Sequence, residues 1–158
     1  MIRIGQSRDI HRLEKNDRPL IIGGVSFDYE KGPVSHSDGD VLFHAISEAL
    51  LGSLAKGDLG SFFPDNDSQY KDMNSLLILK ECYLMIKKEG YHIVNIDANV
   101  ICERPKLGKY LLQMRENVAS CLEMDINDVS IKAQTNEKCG EVGREEAIEA
   151  TVSLLIEK

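Results

Sequence analysis

The sequence predicts an α+β sandwich, a mixed sheet with helices on one face. Three observations point there. Short strand-like runs are mixed with longer runs of helical periodicity, the stretch YHIVNIDANVICERP alternates apolar with polar residues, and no glycine-rich dinucleotide turn joins a strand to a helix. The 158 residues, 42% of them hydrophobic, suffice for one core, so the chain is expected to be a single domain over 1–158.

The first 38 residues read as strand-like and turn-rich: MIRIGQS, then LIIGGVSF, where Gly23-Gly24 can form a tight hairpin turn. SHSDGD follows, a cluster of helix-capping residues, and a helix is expected from about Asp40, with Val41, Leu42, Ala45, Ile46, Ala49 and Leu50 at helical spacing and a stop at Gly52 or Gly57. GDLGSFFPDND (57–67) has loop chemistry around two phenylalanines that look buried. A second helix fits 73–88 on the stripe Leu76, Leu79, Cys82, Tyr83 and Ile86, stopped by Gly90. In the alternating run, Val94, Ile96, Ala98, Val100 and Cys102 are expected on one face and Asn95, Asp97 and Asn99 on the other, facing water or sister subunits. A third helix over 107–123, a strand at 129–134 and a final helix over about 145–157 complete the expected order.

A net charge of −7 with a pI near 5.1 leaves no electrostatic footprint for nucleic acid. Cys82, Cys102, Cys121 and Cys139 are scattered without a CxxC pair and read as reduced thiols. The chain opens on no signal-like segment, and no apolar run approaches the roughly 20 residues of a membrane span. A cytoplasmic protein with no membrane partner is expected.

The chemistry gathers around a few residues. In SRDIHR, Asp9 and His11 are two apart, which on a strand puts them on one face. On the first predicted helix Asp40, His44 and Glu48 are four apart and share a face. A strand Asp-x-His and a helix His together offer three protein ligands, which suits zinc with a fourth position open. Spacing leaves the alternative of three unrelated polar residues standing.

RDIHRL, HSDGDVLFHAISEALLGSLAKGDLGSFFPDND, RPKL with QMRENVA, and IKAQTNEKCGEVGREEAI together resemble the 2-C-methyl-D-erythritol 2,4-cyclodiphosphate synthase family, over essentially the whole chain. The resemblance implies a homotrimer of ferredoxin-like subunits whose sheets line a central prism, with active sites between neighbours and with zinc plus magnesium or manganese. It implies a small-molecule cytidine diphosphate substrate whose 2-phosphate attacks the β-phosphorus, closing a cyclic diphosphate and expelling CMP. An anionic nucleophile needs no side-chain base; the work is alignment and charge neutralisation.

Carried onto this chain, the resemblance makes Asp9, His11 and His44 the zinc ligands and Glu137 the protein ligand of the second, harder ion. It makes His36 and Thr135 donors to the transferring phosphoryl group, with Ser37 beside the substrate. Asp58, Gly60, Phe63, Asp65 and Asp67 would surround the methylerythritol moiety, with one phenylalanine of Phe62 and Phe63 serving as a hydrophobic plug. Pro105, Lys106, Gln134 and the segment to Glu137 would receive the cytidine from the neighbouring subunit. Glu141 and Arg144 would also bind substrate, at positions that the family places near the pore.

Four departures stand out. The usual KATTTEKLGFTGRGEGI reads KAQTNEKCGEVGREEAI, so Gln134 and Asn136 replace threonines; Glu48 stands where the family usually has aspartate and is expected still to orient His44; Glu145 replaces a glycine; and Arg8 and Glu141 stand where the family often has pore-facing aromatics. Arg8 and Glu141 are expected to form a charged ring that binds prenyl diphosphates poorly. Two other readings are a catalytically silent trimer that keeps the metal site and a metal-dependent nucleotide hydrolase.

Overall fold

A computed structural model describes all 158 residues. A long first strand, β1 (Ile2–Lys15), is followed by a small hairpin of β2 (Leu20–Ile22) and β3 (Val25–Phe27) and by β4 (Lys31–Val34). The helices α1 (Val41–Ser53), α2 (Leu59–Phe62) and α3 (Ser75–Lys88) come next, then β5 (His92–Ile101), α4 (Leu111–Cys121), β6 (Val129–Gln134), a single turn α5 (Gly140–Gly143) and β7 (Ala147–Glu157).

The main sheet has the order β4-β1-β7-β5-β6, antiparallel except for the β5–β6 pair. β1 and β5 run parallel with β7 between them, a split β-α-β unit, while α4 links β5 to its neighbour β6. Helix α1 packs on β1 and β7, and α4 packs on β6, all on one face of the sheet. Between the layers lies the core, with Ile22, Leu42, Ile46, Leu50, Leu79, Ile96, Met114 and Ile148 fully buried. The other face of the main sheet carries no helix.

β7 corrects the expected C-terminal helix. Glu145, Glu146, Ala147, Glu149 and Ala150 are residue types at home in helices, but Ile148, Ala150, Val152, Leu154 and Ile156 are buried at every second position. Two long partners, β1 on one side and β5 on the other, supply the ladder that overrides local preference. A second correction falls in β5. A bulge between Ile93 and Asn95 breaks the alternation, so Ile93 enters the core and Val94 stays half-buried. Phe62 and Phe63 are half-buried rather than buried, and the short α2 interrupts the expected loop.

The crossing of α1 over β1 sets up the site. A Cβ on Gly5 would lie 2.0 Å from the Ala49 carbonyl oxygen, and the Ser7 hydroxyl donates to the Ala45 carbonyl. Small residues every second position on the strand therefore meet small residues every fourth on the helix. Two strand residues rise about 6.8 Å and four helical residues about 6 Å, so the two repeats stay in step. Continuing this seam toward the start of α1 brings Asp9 and His11 under His44.

Candidate functional site

The side chains of Asp9, His11 and His44 meet where β1 passes beneath the first turn of α1. His11 Nε2 lies 3.0 Å from Asp9 Oδ2, His44 Nδ1 lies 3.4 Å from the same oxygen, and the two ring nitrogens are 3.3 Å apart. A tetrahedral ion with bonds of about 2.0–2.1 Å would hold its ligand atoms about 3.3 Å from one another. The three atoms thus already form one face of such a tetrahedron, although spacing in the sequence left their convergence open. Asp9 Oδ2 is buried and accepts no hydrogen bond, an unmet acceptor that a cation would satisfy. His11 Nδ1 is 2.9 Å from the Gly39 carbonyl; that oxygen can only accept, so Nδ1 carries the proton and Nε2 offers its lone pair inward. The donor set of carboxylate and two imidazoles, with its unmet oxygen, fits zinc or a similar borderline ion.

Burial works against ionised Asp9, but His11 and His44 override it and hold the carboxyl well below its usual range. Burial likewise works against protonated His11, and Asp9 reverses the balance, raising its imidazole.

The triad sits in a cleft of about 420 Å³ lined also by Arg8, Ser35, His36, Ser37, Glu48, Gly60, Phe63, Asp65 and Tyr70. Of the residues expected around the methylerythritol moiety, Gly60, Phe63 and Asp65 reach this wall. Asp58 instead caps α2, accepting from the Ser61 amide and hydroxyl, and Asp67 caps the single turn at Ser68–Tyr70. Tyr70, which no motif marks, stacks edge-on against Phe63 at 5.5 Å and steadies the loop wall.

Two members of the helix-face trio leave the metal. Asp40, the N-cap of α1, is wholly buried and accepts from the amides of Gly23, Gly24, Leu42 and Phe43. Glu48 accepts from the Leu59 amide at 2.8 Å and so holds α2 rather than orienting His44. His44 Nε2 finds Ser37 Oγ at 2.9 Å and Ser75 Oγ at 2.8 Å instead. Ser75 is a residue that no sequence motif marks.

Pro105, Lys106, Gln134, Thr135, Glu137 and Arg144 do not line this cleft. Pro105, Lys106, Gln134, Thr135 and Glu137 lie at or beyond the ends of β5 and β6, and three inter-strand steps separate β1 from β6, about 14 Å, while Arg144 lies in the turn that leads into β7. Lys106 and Arg144, with Arg104 and Lys138, line a second hollow of about 480 Å³ together with Glu103 and Glu145, a lining with an excess of positive charge. Thr135 Oγ1 accepts from the Glu137 amide at 3.3 Å, and Glu137 and Lys138 both take left-handed backbone, φ 51° and 61°. Arg8 forks onto Glu149 at 2.7 and 3.0 Å rather than pairing with Glu141, and Glu141 faces a separate hollow with Arg12 and Glu146. Glu145 takes left-handed backbone, φ 61°, tied by Tyr29 and Lys31.

The profile of the YgbB family matches residues 2–157. A 2-C-methyl-D-erythritol 2,4-cyclodiphosphate synthase of Geobacillus sp. (strain WCH70) is 48% identical over 158 residues, all of this chain and 99% of the relative. One of Chlorobaculum parvum is 52% identical over 157 residues, 99% of each chain. Among solved structures, the bifunctional IspDF of Campylobacter jejuni superposes with a TM-score of 0.93 at 36% identity; it covers 99% of this chain, which spans 42% of that longer one. A CDP complex of IspF from Plasmodium falciparum gives a TM-score of 0.86 at 36% identity over 98% of this chain and 95% of its own.

Proposed function

The chain belongs to the YgbB family, and from that premise we infer that it acts as a 2-C-methyl-D-erythritol 2,4-cyclodiphosphate synthase of the isoprenoid MEP pathway. It converts 4-diphosphocytidyl-2-C-methyl-D-erythritol 2-phosphate into the 2,4-cyclodiphosphate and CMP. The observation that carries this reading is the Asp9–His11–His44 face, built into a polar cleft of a chain matched from end to end. Asp9, His11 and His44 would hold zinc, and Glu137 would hold magnesium or manganese. Bound there, the ions supply positive charge and Lewis acidity to the phosphate oxygens.

The protein's own groups do the rest. His36 at the cleft mouth and Thr135 donate hydrogen bonds to the phosphoryl group in transfer, and Ser37 holds the phosphate that attacks. Gly60, Phe63 and Asp65 fold the methylerythritol chain back on itself so that nucleophile and phosphorus stand in line. Lys106 and Arg144 attract the nucleotide end, with Pro105 and Gln134 beside the base.

One chain keeps these two groups about three strands apart, which supports a site completed by a neighbouring copy. The helix-free sheet face and the split β-α-β unit support the ferredoxin-like homotrimer. Asn99 Oδ1, buried there without a partner, adds an acceptor for a facing subunit to meet. No helix is long and apolar enough to cross a membrane, and we place the enzyme in the cytoplasm. Phosphorus NMR of the cytidine substrate with enzyme, zinc and magnesium tests the activity. Cyclic diphosphate with CMP is expected; an uncyclised phosphate or no turnover would overturn it.

A further inference from the structure

We propose that Ser75 and Asp38 are positioning residues of the metal centre, fixing the tautomer of His44. This rests on Asp9, His11 and His44 being the metal ligands. His44 presents Nδ1 to Asp9 and His11, so it can bind an ion only if its proton sits on Nε2. Something on the Nε2 side must demand that proton.

Two hydroxyls lie there, Ser75 Oγ at 2.8 Å and Ser37 Oγ at 2.9 Å. Ser37 does not decide the matter. Its hydroxyl is 3.3 Å from Ser35 Oγ, and either oxygen can be the donor, so Ser37 can accept from Nε2 or donate to it. Ser75 has no such freedom. Its hydroxyl is hydrogen-bonded to Asp38 Oδ1, and a carboxylate has no proton to offer, so Ser75 is the donor in that contact. Its oxygen is then left to accept from His44 Nε2–H.

Asp38 is itself fixed. Its Oδ2 accepts from the Ser75 amide at 3.0 Å and its Oδ1 from the Asp40 amide at 3.1 Å. Ser75 is fully buried at the first turn of α3, so solvent cannot substitute for its hydroxyl. The order of donation runs from His44 to Ser75 to Asp38 and leaves the Nδ1 lone pair facing the metal. His11 reaches the same state in one step through the Gly39 carbonyl. Partners of this outer kind are worth about 10- to 100-fold in metal affinity.

The test uses the full chain, with zinc affinity read by chelator competition and the His44 tautomer read by nitrogen-15 NMR of metal-free protein at alkaline pH. In the unsubstituted protein His44 is expected as the Nε2–H form alone. Ser75→Ala should mix the tautomers and weaken zinc about 10- to 100-fold. Asp38→Asn should weaken zinc comparably, because a carboxamide sets an N–H against the Ser75 hydroxyl or the Ser75 amide. In a Ser75→Ala background the same Asp38→Asn change should cost no further zinc affinity, since its route to His44 is gone. An Nδ1–H tautomer in the unsubstituted protein, wild-type zinc affinity in Ser75→Ala, or losses that add in the double variant would each overturn the proposal. If the unsubstituted protein binds no zinc, the ligand assignment itself falls, a result distinct from all of these.

Discussion

Two aspartates with opposite surroundings divide structure from function at the residue scale. Asp40 accepts four backbone N–H groups, whereas Asp9 Oδ2 accepts none. Asp40→Ala would strand those four donors and is expected to cost about 3–5 kcal/mol, read by urea unfolding. His44→Ala should abolish zinc uptake and turnover; retained zinc, measured by metal analysis, would refute the ligand assignment. The buried thiols give a pH signature. Burial pushes Cys82 and Cys102 each from 9.0 up to about 12. Between those values the unfolded chain releases protons that the fold retains, so stability is complete below pH 9 and falls as pH rises. The slope should reach about 1.4 kcal/mol per pH unit for each thiol, and Cys82→Ala should remove its share in unfolding titrations at pH 8 and 10. Asp9, His11 and His44 were legible through the resemblance of RDIHRL and HSDGDVLFHA to the family's motifs, since spacing alone left three unrelated polar residues standing. Ser75 was not, because its meaning comes only from α3 docking against His44.

At the scale of elements, periodicity exposed the helices with strong apolar stripes and missed the strand that opens on the helix-forming run EEAIEA. β7 alternates correctly, but the partners that make alternation decisive, β1 and β5, lie far away in the chain. The bulge at Val94 escaped for a similar reason, since it is set by pairing rather than by any residue type. The seam between β1 and α1 makes a sharper claim. Gly5→Ala would drive a methyl into the Ala49 carbonyl, forcing the helix off the strand. A loss of about 1–3 kcal/mol is expected, together with weaker zinc binding, because His44 rides on the same helix. Calorimetry and zinc titration on one preparation check both; unchanged zinc affinity would show that the seam does not set the site.

For the whole molecule, the proposed division of the site between neighbouring copies is tested by mixing variants. His44→Ala disables the metal half and Glu137→Ala the other, and each variant alone should be inactive. Co-assembled from the two variants, mixed oligomers should regain activity, since some interfaces then pair an intact metal half with an intact distal half. No recovery would place the whole site within one chain. Light scattering should return three times the 17.7 kDa chain mass.

β1 itself carries Ser7, Asp9 and His11 on its helix-facing side and Arg8 and Ile10 on the other. A slip of one residue against β7 would exchange the two sets, turning both ligands away from His44. If zinc binds Asp9, His11 and His44 as proposed, it would bind only the correctly aligned sheet, so its affinity would be added to that alignment and to no other. The ion would thereby proofread strand register in addition to its proposed part in the reaction. Refolding with zinc present should give a higher yield of native protein than refolding under chelator, and equal yields would remove that role.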